Sequence, residues 1–267
     1  MIIRFYKYHG SGNDFILIDN RSLVIRNYNK SADIIARLCH RKFGIGGDGL
    51  ILVNRSNDMN FEMVYFNSDG KEGSMCGNGG FCCVAFANSL GIINDKTVFK
   101  ATDGLHEAII INKEKDTTFV SLKMQDVQEI KKHDEYFLIN TGSPHYIRFT
   151  QNVKKLDVFS EGRKIRYSEA FLEKGVNVNF AELQEEYIFL RTYERGVEDE
   201  TLSCGTGATA TALAANISGY FKNKTLCHLK MPGGNLTVRF NKTSETSFDN
   251  IWIDGTAVCV YKGEINI

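Results

Sequence analysis

Two cysteines carry the strongest chemical signal in the chain. Cys76 opens the run Cys76-Gly77-Asn78-Gly79-Gly80, and Cys204 opens Cys204-Gly205-Thr206-Gly207. Each run leads into a stretch of apolar or small residues that closes at a glycine, Gly91 and Gly219. A glycine-rich turn before such a stretch reads as a loop opening a helix. The first N–H groups of a helix have no internal partner and carry partial positive charge, so an anion is stabilised there. A cysteine at that point should ionise below the free thiol value of about 8.5. Acid–base chemistry at carbon is one use for such a pair. One thiolate removes a proton from one face of a carbon and the second thiol delivers one to the other face, inverting a stereocentre. The helix starts would hold the substrate's carboxylate and stabilise charge as the proton leaves.

Other chemistries fit less well. Helix-start fillers would explain one cysteine but not a matched pair. A metal site needs Cys and His at ligand spacing, and there is no C-x-x-C; adjacent Cys82 and Cys83 on one helix cannot both face one ion. No metal is expected. A redox disulfide between Cys76 and Cys204 would lack the usual C-x-x-C attacker and resolver. A phosphate-binding module would use the same helix starts without needing thiols, and no Walker lysine is present.

The elements that must position these cysteines occur twice. Tyr65–Gly91 and Tyr193–Gly219 align without a gap. Tyr65 falls on Tyr193, Glu72 on Glu200, Cys76 on Cys204, Gly77 on Gly205, Gly79 on Gly207, Ala87 on Ala215, Asn88 on Asn216 and Gly91 on Gly219. Chance would give roughly one or two such matches. Each copy follows a strand-like run (61–66; 187–193) and precedes a Lys-x-x-x-Gly turn (100–104; 230–234). A tandem duplication follows. It implies an α/β (α+β) chain of two pseudo-symmetric halves, each a curled mixed β-sheet around a central helix, with the active site in the cleft between them. The runs 81–90 and 209–217 are apolar or small all round, as a buried helix is. The expected halves are residues 1–126, joined by a C-terminal strand 257–267, and residues 127–256.

Along the chain, 2–8 and 15–18 read as strands joined by a polar loop, His9–Asp14, longer than a tight turn needs. A short helix spans 31–40, with Ser31 as its N-cap. Phe43–Gly49 places four glycines in six positions, then a strand rather than a helix, so it does not match the dinucleotide fingerprint. Charged, aperiodic 125–134 reads as the boundary between halves. His145 sits in the turn Gly142-Ser143-Pro144-His145, which feeds the strand 146–149, a place where functional groups collect. Val176–Phe180 alternates as a strand with Asn177 and Asn179 on one side. Further strands are expected at 226–231, 235–241, 250–254 and 257–267.

Composition narrows the class. The chain has 267 residues, zero formal net charge and seven cysteines. That suits two ordinary domains and argues against a nucleic-acid or acidic-membrane partner. The opening residues are too polar for a signal peptide, and no run is long enough to span a membrane. Together with the odd cysteine count, this reads as reduced thiols in the cytoplasm.

Seven motifs in order resemble the diaminopimelate epimerases, a cofactor-independent, two-cysteine family. They are His9-Gly10-x-Gly12-Asn13-Asp14-Phe15, Gly44-Ile45-Gly46-x-Asp48, Phe66-Asn67-x-Asp69-Gly70, Cys76-Gly77-Asn78-Gly79, Gly142-x-Pro144-His145, Glu194-Arg195-Gly196 and Cys204-Gly205-x-Gly207. The resemblance implies an isomerase that interconverts LL- and meso-2,6-diaminopimelate without pyridoxal phosphate, in lysine and peptidoglycan precursor synthesis. By it, Cys76 and Cys204 are the acid–base thiols, with His145 and Glu194 as their respective proton partners. Gly77-Asn78 and Gly205-Thr206 contact the reacting carboxylate. Asn13, Asn67, Asn177, Glu194 and Arg195 hold the rest of the substrate, Arg195 being suited to the distant carboxylate. The partner is a small molecule, and a homodimer is left open. The runner-up types are a proline racemase or hydroxyproline epimerase and a non-catalytic thiol or anion binder. An acyclic substrate is favoured over a cyclic one by Arg195 and Asn177. Gly49 stands where many members carry Gln, Ser143 where many carry Asn, and the span from Glu194 to Cys204 is one residue longer than usual.

Overall fold

The computed structural model describes residues 2–25, 32–73, 75–220 and 224–266. The chain folds as two units, Met1–Leu122 with Gly255–Ile267, and Lys123–Asp254. The expected N-cap Ser31 lies outside the described residues.

The first unit contains β1 (Ile2–Gly10), β2 (Asn13–Asp19), α1 (Ala32–Cys39), β3 (Gly49–Asn54), β4 (Glu62–Asn67), β5 (Glu72–Gly73), α2 (Gly77–Ser89), β6 (Lys96–Ala101), β7 (Gly104–Glu114) and β8 (Thr117–Lys123). Strand β2 runs parallel to β3, and β4 parallel to β6. Parallel neighbours need a long crossover, and α1 and α2 fill the two crossovers. The other neighbouring pairs, β1 with β2, β3 with β4, β6 with β7 and β7 with β8, are antiparallel. Helix α2 is buried continuously from Gly77 to Ala87. With no polar stripe to turn to water, it can only sit at the centre, and the sheet curls around it. It ends where Gly91 takes φ 69° and donates its N–H to Asn88 O.

The second unit repeats the pattern with β9 (Ile130–Lys132), β10 (Phe137–Asn140), β11 (Pro144–Phe149), α3 (Val158–Arg166), β12 (Asn177–Leu183), β13 (Ile188–Glu194), β14 (Asp199–Thr201), α4 (Gly205–Ile217), β15 (Leu226–Met231) and β16 (Gly234–Lys242). Strand β11 is parallel to β12 across α3, and β13 parallel to β15 across α4. Antiparallel pairs separate them in the same order as in the first unit. Helix α4 is buried from Gly205 to Asn216 except at Thr206.

Three local expectations change. The expected strands 250–254 and 257–267 are one strand, β17 (Phe248–Asn266). Gly255 and Thr256 do not interrupt it, because both stay in register, opposite Val120 and Phe119. Up to Asp254 the strand pairs with β16, and beyond it with β8 and β1, which closes the first unit's sheet on itself. The opening hairpin is tight rather than long. Gly10 pairs with Asn13, and the two-residue turn is made by Ser11 and Gly12, at φ 50° and 83°. Polar His9 and Asp14 are therefore ladder residues, not loop residues. Aperiodic 125–134 holds β9 and a bridge from Val127 to Phe248.

Candidate functional site

Each cysteine is the N-cap of its unit's central helix. Cys76 has extended backbone (φ −96°, ψ 135°), as has Cys204 (φ −132°, ψ 109°). The first intrahelical bonds match: Gly80 N–H donates to Cys76 O at 2.7 Å and Ala208 N–H to Cys204 O at 2.9 Å. Gly77, Asn78, Gly205 and Thr206 are the first two residues of the two helices, where backbone N–H groups point out of the helix start. Asn78 is buried, and its Oδ1 has no partner among the described residues.

In the first unit the structure brings Asn13 to Cys76. The Cys76 thiol donates to Asn13 Oδ1 at 3.5 Å. The other end of the amide, Nδ2, donates to Asp48 Oδ2 at 2.7 Å. Arg41 spans Asp48 and Asp14 at 2.7 and 2.6 Å. Buried Lys7 reaches Asp14 at 2.7 Å and also bonds Gly46 O. Burial opposes the Asp14 charge, yet the hydrogen bonds from Arg41 and Lys7 win and hold its carboxyl well below the usual range. Gly46 and Gly47 lie against this charged cluster: a Cβ at Gly46 would be 3.1 Å from Arg41 Cα, and one at Gly47 3.1 Å from Lys7 Nζ. Asn67 ends β4, exposed, with its N–H bonded to Lys71 O at 2.9 Å. Gly49 has a steric cause. A Cβ there would lie 2.5 Å from Phe66 O and 2.5 Å from Tyr65 Cε2, so the Tyr65 ring occupies the space a longer side chain would need.

In the second unit His145, Asn177, Thr206 and Cys204 form one hydrogen-bonded group, with Ser143 at its hub. Ser143 Oγ lies 2.9 Å from His145 Nε2, 3.2 Å from Asn177 Nδ2 and 3.3 Å from Thr206 Oγ1. Thr206 Oγ1 is 3.5 Å from Cys204 Sγ. His145 is fully buried, and burial, helped by the Arg195 charge, pushes its pKa down to about 3. Asn179 Nδ2 faces His145 Nδ1 at 3.1 Å. Its Oδ1 would be 2.5 Å from a Cβ at Gly207, so only glycine lets the first turn of α4 approach. The Glu194 carboxylate accepts from Thr201 Oγ1 at 2.8 Å. In the turn after Glu194, Gly196 and Glu198 take φ 93° and 59°. Arg195 donates its backbone N–H to Asn177 Oδ1 at 2.9 Å, while its guanidinium bonds Lys174 O at 3.0 Å.

Asp48, Ser143, Asn179 and Thr201 carry contacts that single-residue reading did not assign. Asp48 and Ser143 lie inside recognised motifs, which was the available signal. Among the described residues no three metal-ligating side chains cluster. Burial raises the thiol pKa of Cys39 and Cys227 to about 12 and also pushes those of Cys82 and Cys83 well up.

Solved structures share the fold. A PhzF-family phenazine biosynthesis protein from Bacillus anthracis superposes with a TM-score of 0.79 at 16% identity, covering 100% of both chains. A hydroxyproline epimerase from Agrobacterium vitis gives 0.70 at 14%, covering 99% of this chain and 92% of that one. They define the class: a duplicated α+β chain, each half a curled sheet around a helix. The family is set by sequence. Residues 5–129 and 137–259 match the diaminopimelate epimerase family model. A diaminopimelate epimerase from Flavobacterium psychrophilum is 48% identical over 98% of this chain and 100% of its own length. One from Aquifex aeolicus is 36% identical over 99% and 98%. The chain belongs to the diaminopimelate epimerase family.

Proposed function

We propose that this chain interconverts LL- and meso-2,6-diaminopimelate by moving a proton at the α-carbon between two thiols, Cys76 and Cys204. The observation that carries the reading is the placement of one cysteine at the N-cap of each unit's buried central helix, in a chain of this family. Inversion needs a base on one face of the carbon and an acid on the other. One thiolate takes the α-proton as the C–H bond breaks, and the electron pair passes toward the α-carboxylate. The N–H groups at a helix start stabilise that charge. The second thiol's S–H bond breaks as the new C–H bond forms.

By the family resemblance His145 is the proton partner of Cys76 and Glu194 that of Cys204. In the substrate-free chain His145 is instead hydrogen-bonded through Ser143 and Thr206 toward Cys204, so serving Cys76 requires it to leave Ser143. Gly77, Asn78, Gly205 and Thr206 hold the reacting carboxylate. Asn13, Asn67, Asn177, Glu194 and Arg195 hold the remainder, with the Arg195 guanidinium leaving Lys174 O for the distant carboxylate. The chain needs no cofactor in this reading and serves lysine and peptidoglycan precursor synthesis. Among the described residues no helix is long and apolar enough to cross a membrane. The same reading places the enzyme in the cytoplasm, as a monomer or homodimer.

Nuclear magnetic resonance of LL-diaminopimelate with the protein in heavy water tests this. Deuterium is expected at the α-carbon together with meso product, and either Cys76→Ala or Cys204→Ala should abolish inversion. Inversion that persists in both variants overturns the mechanism.

A further inference from the structure

We infer that the resting chain keeps its exchangeable proton on Cys76 and presents Cys204 as the accepting sulfur, with Ser143 the positioning residue that orients the hydrogens toward Cys204. This builds on the reading of both cysteines as acid–base groups, and it follows from the direction each hydrogen bond must take.

At Cys76 the direction is set by Asp48. Its carboxylate accepts from Arg41 on one oxygen at 2.7 Å and from Asn13 Nδ2 on the other at 2.7 Å. A carboxylate cannot donate, so Asn13 must present its NH2 group there. The amide oxygen is then the end that faces Cys76, at 3.5 Å. An amide oxygen only accepts, so the sulfur must donate. Cys76 is held as S–H.

At Cys204 the direction is set from the opposite end. Asn179 Nδ2 donates to Tyr146 O at 3.0 Å, and its Oδ1 accepts from Thr192 Oγ1 at 2.9 Å. A backbone carbonyl therefore fixes which way the amide points. The same NH2 group faces His145 Nδ1 at 3.1 Å, which makes Nδ1 an acceptor. The neutral ring then carries its proton on Nε2. That N–H donates to Ser143 Oγ at 2.9 Å. Asn177, fixed by Pro144 O at 3.1 Å and the Arg195 N–H at 2.9 Å, donates to the same oxygen at 3.2 Å. With two donors on its oxygen, Ser143 spends its own hydrogen on Thr206 Oγ1 at 3.3 Å. Thr206 Oγ1 lies 3.5 Å from Cys204 Sγ, a contact in which either atom can donate. The Thr206 hydrogen is not spent on Ser143, and it is the one assigned to the sulfur. The relay ends with a hydrogen aimed at sulfur, the arrangement a thiolate requires.

Two acidic groups of this loop are paired with arginines. Glu200 pairs with Arg191 at 2.6 Å and Glu198 with Arg166 at 3.3 Å. Glu194 accepts from Thr201 at 2.8 Å. From this state turnover begins with Cys204. Its S–H bond forms as the substrate C–H bond breaks, and the Cys76 S–H bond breaks as the new C–H bond forms. Protons and electrons balance with no co-reactant.

The test is the ultraviolet thiolate absorbance of the substrate-free protein at neutral pH. Burial keeps Cys39, Cys82, Cys83 and Cys227 as thiols and out of this signal. The band is expected to survive in Cys76→Ala and to vanish in Cys204→Ala, with the near-isosteric Cys204→Ser as a second variant should alanine disturb the fold. Ser143→Ala should lose the band as well, and Ser143→Thr, which restores the hydroxyl, should recover it. Loss in Cys76→Ala with retention in Cys204→Ala overturns the assignment, and an unchanged band in Ser143→Ala overturns the role of Ser143. The readout does not depend on turnover. A protein with the expected spectra but no α-deuterium incorporation would overturn the epimerase reading and leave the proton ordering intact.

Discussion

A carboxamide can face a thiol with its oxygen or its nitrogen, and the choice at Asn13 lies with Asp48. Nothing in the residue type Asn discloses that choice. Sequence spacing placed Cys76 and Cys204 correctly at their helix starts, because glycine punctuates the chain locally; His145, expected in a turn, lies in β11 opposite Ile139. The partners that direct the protons, Asp48, Ser143 and Asn179, come from other strands and become visible only through pairing. His145 also has a thermodynamic consequence. Its pKa is about 3 in the folded chain against about 6.5 free. As pH falls below about 6.5 the unfolded chain binds a proton that the folded chain refuses, so stability is lost progressively down to about 3. Between pH 6.5 and 5 the loss should be about 2 kcal/mol. Urea midpoints at the two values check this, and His145→Gln, which does not titrate, should show a smaller drop.

Helices α2 and α4 were legible because they lack a polar stripe, which an isolated or surface helix could not tolerate. Strands β5 and β14 were not, since two or three residues carry no periodicity. The opening hairpin was misjudged because its polar residues pair in a ladder. Gly49 shows how neighbouring strands decide a side chain. Residues 49 and 67 face each other across β3 and β4, and the Tyr65 ring already fills the space beside them. Gly49→Ala should therefore destabilise by about 1–3 kcal/mol, the usual cost of overpacking. A lowered thermal midpoint is the expected reading, and Gly49→Ala with Tyr65→Ala should restore part of it by removing the ring.

The duplication was the most legible large-scale feature. Both units repeat the same succession of parallel and antiparallel neighbours, with a buried helix in the matching crossover. What the alignment could not show is that a single strand serves both sheets. Gly255 and Thr256 read as a break, yet β17 runs through them. Removing residues 257–267 takes away every pairing of β17 with β1 and two of its four pairings with β8. Amide hydrogen exchange in such a truncation should show protection lost through β1, β8 and α2 while β12 and β13 stay protected; uniform protection would contradict it.

That shared strand also sets an order of events during synthesis. The first unit is translated first but needs residues 258–266, more than a hundred positions later, before its sheet can close. Most chains complete their domains from the amino end as they emerge. Here the later half has all its pairing strands once residue 254 is out, whereas the earlier half must wait for residues 258–266, which pair with β1.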